Sequence, residues 1–386
     1  MPLAQMNRNP RTLQSLGGLL APGERFVLMD IGARGGISEQ WKPIAPLARV
    51  IGFEPDPAEC DRLNASGTGM EFYPCALHSN PGEHTFYLTE SEFCHGFRPC
   101  DPKYFGRFPN AINNQVRGEL VVRADSLDNF AASAGLDHID FIKIDTEGSE
   151  LDILRGGRAS LDAKRVLGLL VELWWDPRLK NQPSFAEMDS FIRQQGFTFF
   201  DIECQRYPRN TLPVGRMTRA FRRVGRSRLV RRIADALSQP TPYRHYGQIL
   251  TGDALYFRDP VWDLQDGANA FGWDDQTILR LVGLLDLYGY PDFAIEILDF
   301  YRDRFARPVD VDGLIDALVP PIDGALSMER LCSFGARVWK RLLPKRDGAV
   351  LPFDEYWSRS ERLFLDNCLS PDLRPKAHIK KPRYRG

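Results

Sequence analysis

The chain lacks any apolar run approaching the roughly 18 residues a membrane-spanning helix needs. Its opening stretch, Met1 to Leu20, mixes Arg, Asn and Gln and shows no signal-peptide pattern, so the expected location is cytoplasmic. Its seven cysteines form no C-x-x-C pair, which argues against a zinc cluster and a disulfide framework and fits thiols kept reduced in the cytosol. An excess of one charge sign is also missing, since the net charge is only -1. What remains is an ordinary soluble composition, 43% hydrophobic and 26% charged, in a chain of 386 residues that has room for two or more domains.

One further absence narrows the ligand. Phe26 to Gly36 reads as a buried strand, a glycine-rich turn and the start of a helix, with Asp30 at the carboxyl end of the strand. Such a turn serves either for packing alone or to let the backbone approach a ligand, with the following helix N-terminus presenting N–H groups. Arg49 to Asp56 is a second short apolar strand ending in an acid, and Glu54 follows Asp30 at about the 20-residue spacing at which a carboxylate reaches a ribose. A pyrophosphate-binding G-x-G-x-x-G would need glycine at 34 and near 37, where the chain has Arg34 and Ile37. Asp30, Gly32 and Gly36 instead match the D-x-G-x-x-x-G form of S-adenosylmethionine sites, with nicotinamide binding as the second choice of cofactor.

Residues 1–21 read as a polar arm. Asp56 to Asn64 is a short helix and Glu71 to Leu77 a third strand, with Pro74 at a bulge or strand end. Ala76 and its neighbours then lie where an adenine ring would be held. His84 to Thr89 alternates as a half-exposed strand, and Glu90 to Gly118 reads as a long loop carrying His95, Arg98 and Arg107, either a substrate wall or a solvated surface loop. Asp140 to Glu150 holds the densest chemistry: a buried strand ends at Asp145, and Glu147 and Glu150 follow around Gly148 beside Lys143. Helix capping accounts for Glu147 and Glu150 but less well for Asp145. Val166 to Trp175 is an apolar strand interrupted only by Glu172, whose burial requires a partner.

The succession Asp30-Ile-Gly-Ala-Arg-Gly-Gly, Gly52-Phe-Glu-Pro, Lys143-Ile-Asp-Thr-Glu-Gly-Ser-Glu, Leu154-Arg-Gly-Gly and Val171-Glu resembles the FkbM family of S-adenosylmethionine-dependent methyltransferases, over about residues 22–204. The resemblance implies an α/β fold with a doubly wound class I methyltransferase (Rossmann-like) sheet and an antiparallel edge strand, here Gln248 to Asp259, and O-methylation of a hydroxyl, most plausibly on a sugar of a glycan, glycolipid or secondary metabolite. It implies cofactor contacts from Asp30, Gly32, Ala33, Arg34, Gly36, Glu54, Pro55 and Ala76; Arg34 stands where many members have asparagine. The hydroxyl needs a base or a metal. Asp145, Glu147, Glu172 and His95 are the candidates for the base or for orienting the substrate, and Asp145 with Glu172 would be the ligands if Mg2+ takes part.

Ser184 to Gln195 reads as an amphipathic helix and Phe197 to Cys204 as a sixth strand. An insertion over about 205–247 is strongly basic, and its segment Arg216 to Ile233 suits an anionic partner: a carrier-linked or anionic glycan, or a membrane surface touched peripherally. Phe221 is too isolated an aromatic for a nucleic-acid groove. The catalytic domain is expected over 22–260, followed by a helical region over 261–386 with helices at Asp274 to Tyr288, Asp292 to Arg304, Ser327 to Leu343 and Asp354 to Asn367, then a basic end from Pro375 to Gly386. That region suits dimerisation or partner binding. The alternative to an enzyme is a non-catalytic scaffold that keeps the methyltransferase fold.

Overall fold

A computed structural model describes residues 7, 10–21, 23–37, 41–108, 111–163, 166–175, 179–207, 209, 247–265 and 270–319. The basic segment Arg216 to Ile233, the helices expected at Ser327 to Leu343 and Asp354 to Asn367 and the basic end lie outside the described residues.

The apolar run Phe26–Ile31 forms β1, buried along its whole length because parallel strands flank it on both sides. β2 (Ala48–Phe53) and β3 (Glu71–Tyr73) continue the sheet on one side, and β7 (Phe141–Ile144) and β8 (Gly168–Trp174) on the other. β10 (Gln248–Phe257) then pairs antiparallel with both β8 and the outermost strand β9 (Thr198–Tyr207), so this seven-stranded sheet runs β3-β2-β1-β7-β8-β10-β9. All its other strands are parallel where they meet, which is the doubly wound α/β order expected from the sequence, except that Gln248–Phe257, expected at the edge, lies inside the sheet and β9 forms the edge.

Pro74, which has no N–H to give to a ladder, splits the expected third strand: β3 ends at Tyr73, and β4 (Ala76–Leu77) joins a separate sheet with β6 (Val116–Asp125) and β5 (Gly82–Thr89). The expected long loop is therefore shorter at its far end, where β6 pairs with β5, and it contains the short helix α3 (Pro102–Phe105) and single 3-10 turns at Glu92–Cys94 and Ala111–Asn114.

Helices cover the main sheet. α2 (Pro57–Asn64) starts on an Asp56 cap, α4 (Leu127–Ser133) on a Ser126 cap, and α7 (Phe185–Gln194) on a capping box between Ser184 and Glu187. α5 (Glu150–Gly156) and α6 (Arg158–Ala163) connect β7 to β8, and α8 (Pro260–Leu264) follows β10. The helices expected beyond residue 260 are present as α9 (Asp275–Tyr288) and α10 (Pro291–Tyr301), and α9 lies against the sheet. Tyr288 stacks on Phe141 of β7 at 4.6 Å, and Arg280 meets the buried Asp140 at 2.7 Å. Within the stretch expected as a polar arm, α1 (Thr12–Leu16) buries Leu13 and Leu16 against Gly283 of α9, and Asp286 accepts hydrogen bonds from the Thr12 amide and hydroxyl. The compact unit that holds the sheet thus runs from Met1 to Val311, past the boundary expected near Pro260. The helix Val311–Leu318 leads into a second unit, Asp312–Gly386. No helix among the described residues is long and apolar enough to cross a membrane.

Candidate active site

The turn after β1 is shaped by glycine. Gly32 has φ +92°, and a Cβ there would fall 2.0 Å from the Asp145 carbonyl oxygen, so only glycine lets β1 and β7 end this close together. Gly35 and Gly36 also have positive φ, at +81° and +101°, which a right-handed helix does not allow. The helix expected here is accordingly not formed over 34–37, which are turn and bend. The turn amides are used within the protein: Gly32 and Ala33 donate to the Phe53 carbonyl, Gly35 to Glu59, and Gly36 to the Ala33 carbonyl. This is a rigid edge for a ligand to lie against, not a cradle of free N–H groups for a pyrophosphate.

The acids at the strand ends converge on it. Asp30 is 1% exposed and accepts a hydrogen bond from Lys143 at 3.1 Å. Glu54 is 3% exposed at the end of β2 and accepts from the Asp56 amide at 2.9 Å. Burial raises its pKa, while that N–H bond and Arg34 oppose the rise. Arg34 reaches Glu54 at 3.5 Å, Asp56 at 3.3 Å and Glu92 at 2.7 Å, and so ties the turn to the Glu92–Cys94 segment. Pro55 lies half-buried between Glu54 and the α2 cap, and Ala76 is buried in β4, paired with Ala124 of the smaller sheet.

On the other side of β1 the register sets out a row of carboxylates. Ile144 of β7 pairs with Val171 of β8, so Asp145, the residue after β7, continues toward Glu172. Glu172 stands opposite Asp253 of β10, which stands opposite Glu203 of β9. Side chains opposite one another in a sheet share a face. Lys143 meets Asp30 at 3.1 Å and Asp145 at 3.4 Å; burial would lower its pKa, but these carboxylates outweigh it and hold it charged.

Glu147 and Glu172 are the acids with the strongest displacement. Glu147 sits at φ +56°, a backbone region costly for a residue with a side chain and often found at functional sites. Burial, then repulsion from Asp145 and Glu150, pushes its pKa up to about 8. Burial, then Glu147, Asp145 and Glu150, raises that of Glu172 well above the ordinary range. Glu150 has a structural role: its carboxylate accepts from the amides of Thr146 and Gly148 and from the Thr146 hydroxyl, closing the turn that holds Glu147. Cys94 faces Glu147, and burial together with that acid pushes its thiol up to about 12, so it is an un-ionised neighbour.

Glu147 and Glu172 meet in a cavity of about 230 Å3 walled by Phe93, Phe105, Phe108 and Trp174. Phe93 joins the cavity to the glycine turn, since its ring lies within 3.4 Å of where a Gly35 side chain would begin. Inside, Glu172 Oε2 and the Trp174 indole N–H are buried with no hydrogen-bond partner among the described residues. Asp145 and His95 do not line the cavity. Asp145 is paired with Lys143, and His95 uses Nδ1 to accept the Thr89 amide, its pKa lowered by burial and by Arg34. Among the described residues no group of three or more His, Cys, Asp or Glu side chains is placed to hold a metal ion, and Asp145 meets Lys143 at 3.4 Å.

Sequence reasoning missed the aromatic wall and Asp253. Trp174 carried a signal, because it follows Glu172 by two in a strand and so shares its face. Phe105, Phe108 and Asp253 carried none without the strand pairing.

Residues 30–199 match the family described as the methyltransferase FkbM domain. Among curated proteins, the chain is 26% identical over 150 residues to the 2-O-methyltransferase NoeI of Sinorhizobium fredii, an overlap covering 36% of this chain and 61% of that protein. It is 26% identical over 209 residues to the methyltransferase sdnD of Sordaria araneosa, covering 46% and 74%. Among solved structures, magnesium protoporphyrin IX methyltransferase from Synechocystis PCC 6803 with bound S-adenosylmethionine is similar at 11% identity and a TM-score of 0.28, over 64% of this chain and 74% of that one.

Proposed function

From the FkbM methyltransferase domain that this chain carries over residues 30–199, we propose an S-adenosylmethionine-dependent O-methyltransferase acting on a hydroxyl, with a sugar as the substrate class. The observation that supports the reading is the cavity at the carboxyl end of β8, which brings together Glu147 and Glu172 and is joined by Phe93 to the glycine turn.

Bound S-adenosylmethionine supplies a methyl group already activated on a sulfonium sulfur. Glu54 would accept hydrogen bonds from the ribose hydroxyls, and the Gly32 to Gly36 backbone would pack against the cofactor. Asp30, hydrogen-bonded to Lys143, would complete the polar edge of that crevice. Glu147 takes the hydroxyl proton as the new C–O bond forms and the C–S bond breaks, the electron pair passing to sulfur. A base with a pKa near the working pH is well matched to that transfer. The buried Phe105 and Trp174 walls would keep water from the reacting hydroxyl and help hold it in line.

The test is isothermal titration of the full chain with S-adenosylmethionine and, separately, NADH, on the native protein and on Glu54→Gln and Asp30→Ala. The expected result is binding of S-adenosylmethionine alone, weakened at least tenfold in Glu54→Gln. Binding of NADH, or of neither ligand by a folded cofactor-free sample, would overturn the reading; the second outcome favours the scaffold.

A further inference from the structure

The cavity's lining says more about the substrate than that it carries a hydroxyl. Among the described residues neither Lys nor Arg lines it, while Glu147 and Glu172 do. Lys143, the cation next to the acid row, is committed to Asp30 and Asp145. Arg209 lies over the Phe108 ring at 4.4 Å but is not part of the lining. Of the acids that follow one another across the sheet, Asp145, Glu172, Asp253 and Glu203, Glu172 reaches the cavity itself, where it meets Glu147. An anionic group at the reacting end of the substrate would be repelled there.

Two independent features point to a cation. The Glu172 side chain lines the cavity at only 9% exposure, and its Oε2 is buried without a donor among the described residues. A buried acceptor left unpaired is costly, and a ligand donor would relieve that cost. The walls are aromatic, with Phe105 and Trp174 packed edge to face at 5.9 Å, and aromatic faces attract a desolvated ammonium. The unpartnered Trp174 indole N–H, by contrast, needs an acceptor, which an ammonium does not offer and a hydroxyl oxygen does.

We propose that the cavity selects a hydroxylated amine, its ammonium held by Glu172 and the aromatic wall and a neighbouring hydroxyl presented to Glu147. The inference rests on the methyl-transfer reading of the same site. It makes Glu172 the residue that sets specificity and leaves proton removal to Glu147. Binding is also linked to protons. Burial and the neighbouring acids raise the pKa of Glu172, and an ammonium beside it favours the ionised carboxylate, so binding is expected to shift protons off the site; Glu147, Glu150, Asp145 and Asp253 share the field, with the Cys94 thiol and the Tyr207 phenol as un-ionised neighbours.

The experiment is calorimetric titration of the full chain, saturated with S-adenosylhomocysteine, using glucosamine, glucose and N-acetylglucosamine as probes, in buffers of different ionisation enthalpy. Glucosamine is expected to bind at least tenfold more tightly than the two neutral sugars and to release up to about one proton. In Glu172→Gln that advantage and the proton release should vanish while affinity for S-adenosylhomocysteine stays. Equal affinities for the three sugars, preference for a neutral one, or no glucosamine binding would overturn the amine assignment. Failure of the native protein to bind S-adenosylhomocysteine is a separate result and would sink the methyl-transfer reading instead.

Discussion

Glu147 concentrates several constraints on one residue. Its backbone is left-handed, its carboxyl is buried among other acids, and the turn holding it is closed by Glu150. A base must be ionised to accept a proton, so kcat/KM for methyl transfer should climb as pH rises toward about 8 and level off above it. Glu147→Gln should lower kcat/KM by about 100- to 10,000-fold and flatten that limb, with S-adenosylmethionine affinity kept; an unchanged pH profile would remove Glu147 from the chemistry. Gly32 makes a harder demand, because a methyl group there meets the Asp145 carbonyl at 2.0 Å. Gly32→Ala should cost at least about 1–3 kcal/mol in urea denaturation as the β1 and β7 ends are forced apart. Both residues were visible in the sequence as members of motifs. Their conformations were not, since positive φ at a non-glycine residue follows from tertiary closure and not from local preference. His95 shows the converse: a plausible residue type in a suggestive loop, turned by its bond to Thr89 away from the cavity.

Among the elements, the pairing of α1 with α9 was the least legible. Thr12, Leu13 and Leu16 read as part of a polar arm because three buried residues in a five-residue helix give too little periodicity to detect. Their partner is Asp286, which is 3% exposed and also accepts from the Asn7 side chain at 2.7 Å. Asp286→Ala leaves the Thr12 amide and hydroxyl without their acceptor and should destabilise the fold by about 1–3 kcal/mol, measured by thermal melting, without changing cofactor affinity. β1, β2, β7, β8 and β10 were readable as apolar runs bounded by turn residues. β6 was not, because its exposed charges, Arg117, Glu119 and Arg123, mask the alternation.

At the scale of the whole molecule, the helices α8, α9 and α10 belong to the unit that bears the site. Tyr288 stacks on Phe141 and donates no space to solvent, its hydroxyl accepting the Trp41 indole N–H at 3.0 Å. Arg280 sits against Asp140, which is 1% exposed and also accepts the Val27 amide. A chain ending at Pro260 would leave that acid buried without its cation and the Phe141 face uncovered, so it should show no cooperative melt, whereas a chain ending at residue 319 should melt cooperatively. Sequence periodicity located these helices but had no means of assigning them to a sheet 140 residues earlier in the chain, the separation between Asp140 and Arg280.

The Glu92–Cys94 turn touches both the glycine turn, where Glu92 pairs with Arg34, and the cavity, which Phe93 and Cys94 help to wall; on the proposed reading these are the cofactor and substrate sides. A shared wall of this kind makes the two affinities interdependent, and thermodynamic reciprocity fixes the ratio. Whatever factor S-adenosylhomocysteine applies to acceptor affinity, the acceptor must return to S-adenosylhomocysteine, and breaking the Arg34 to Glu92 link should bring both factors toward unity together.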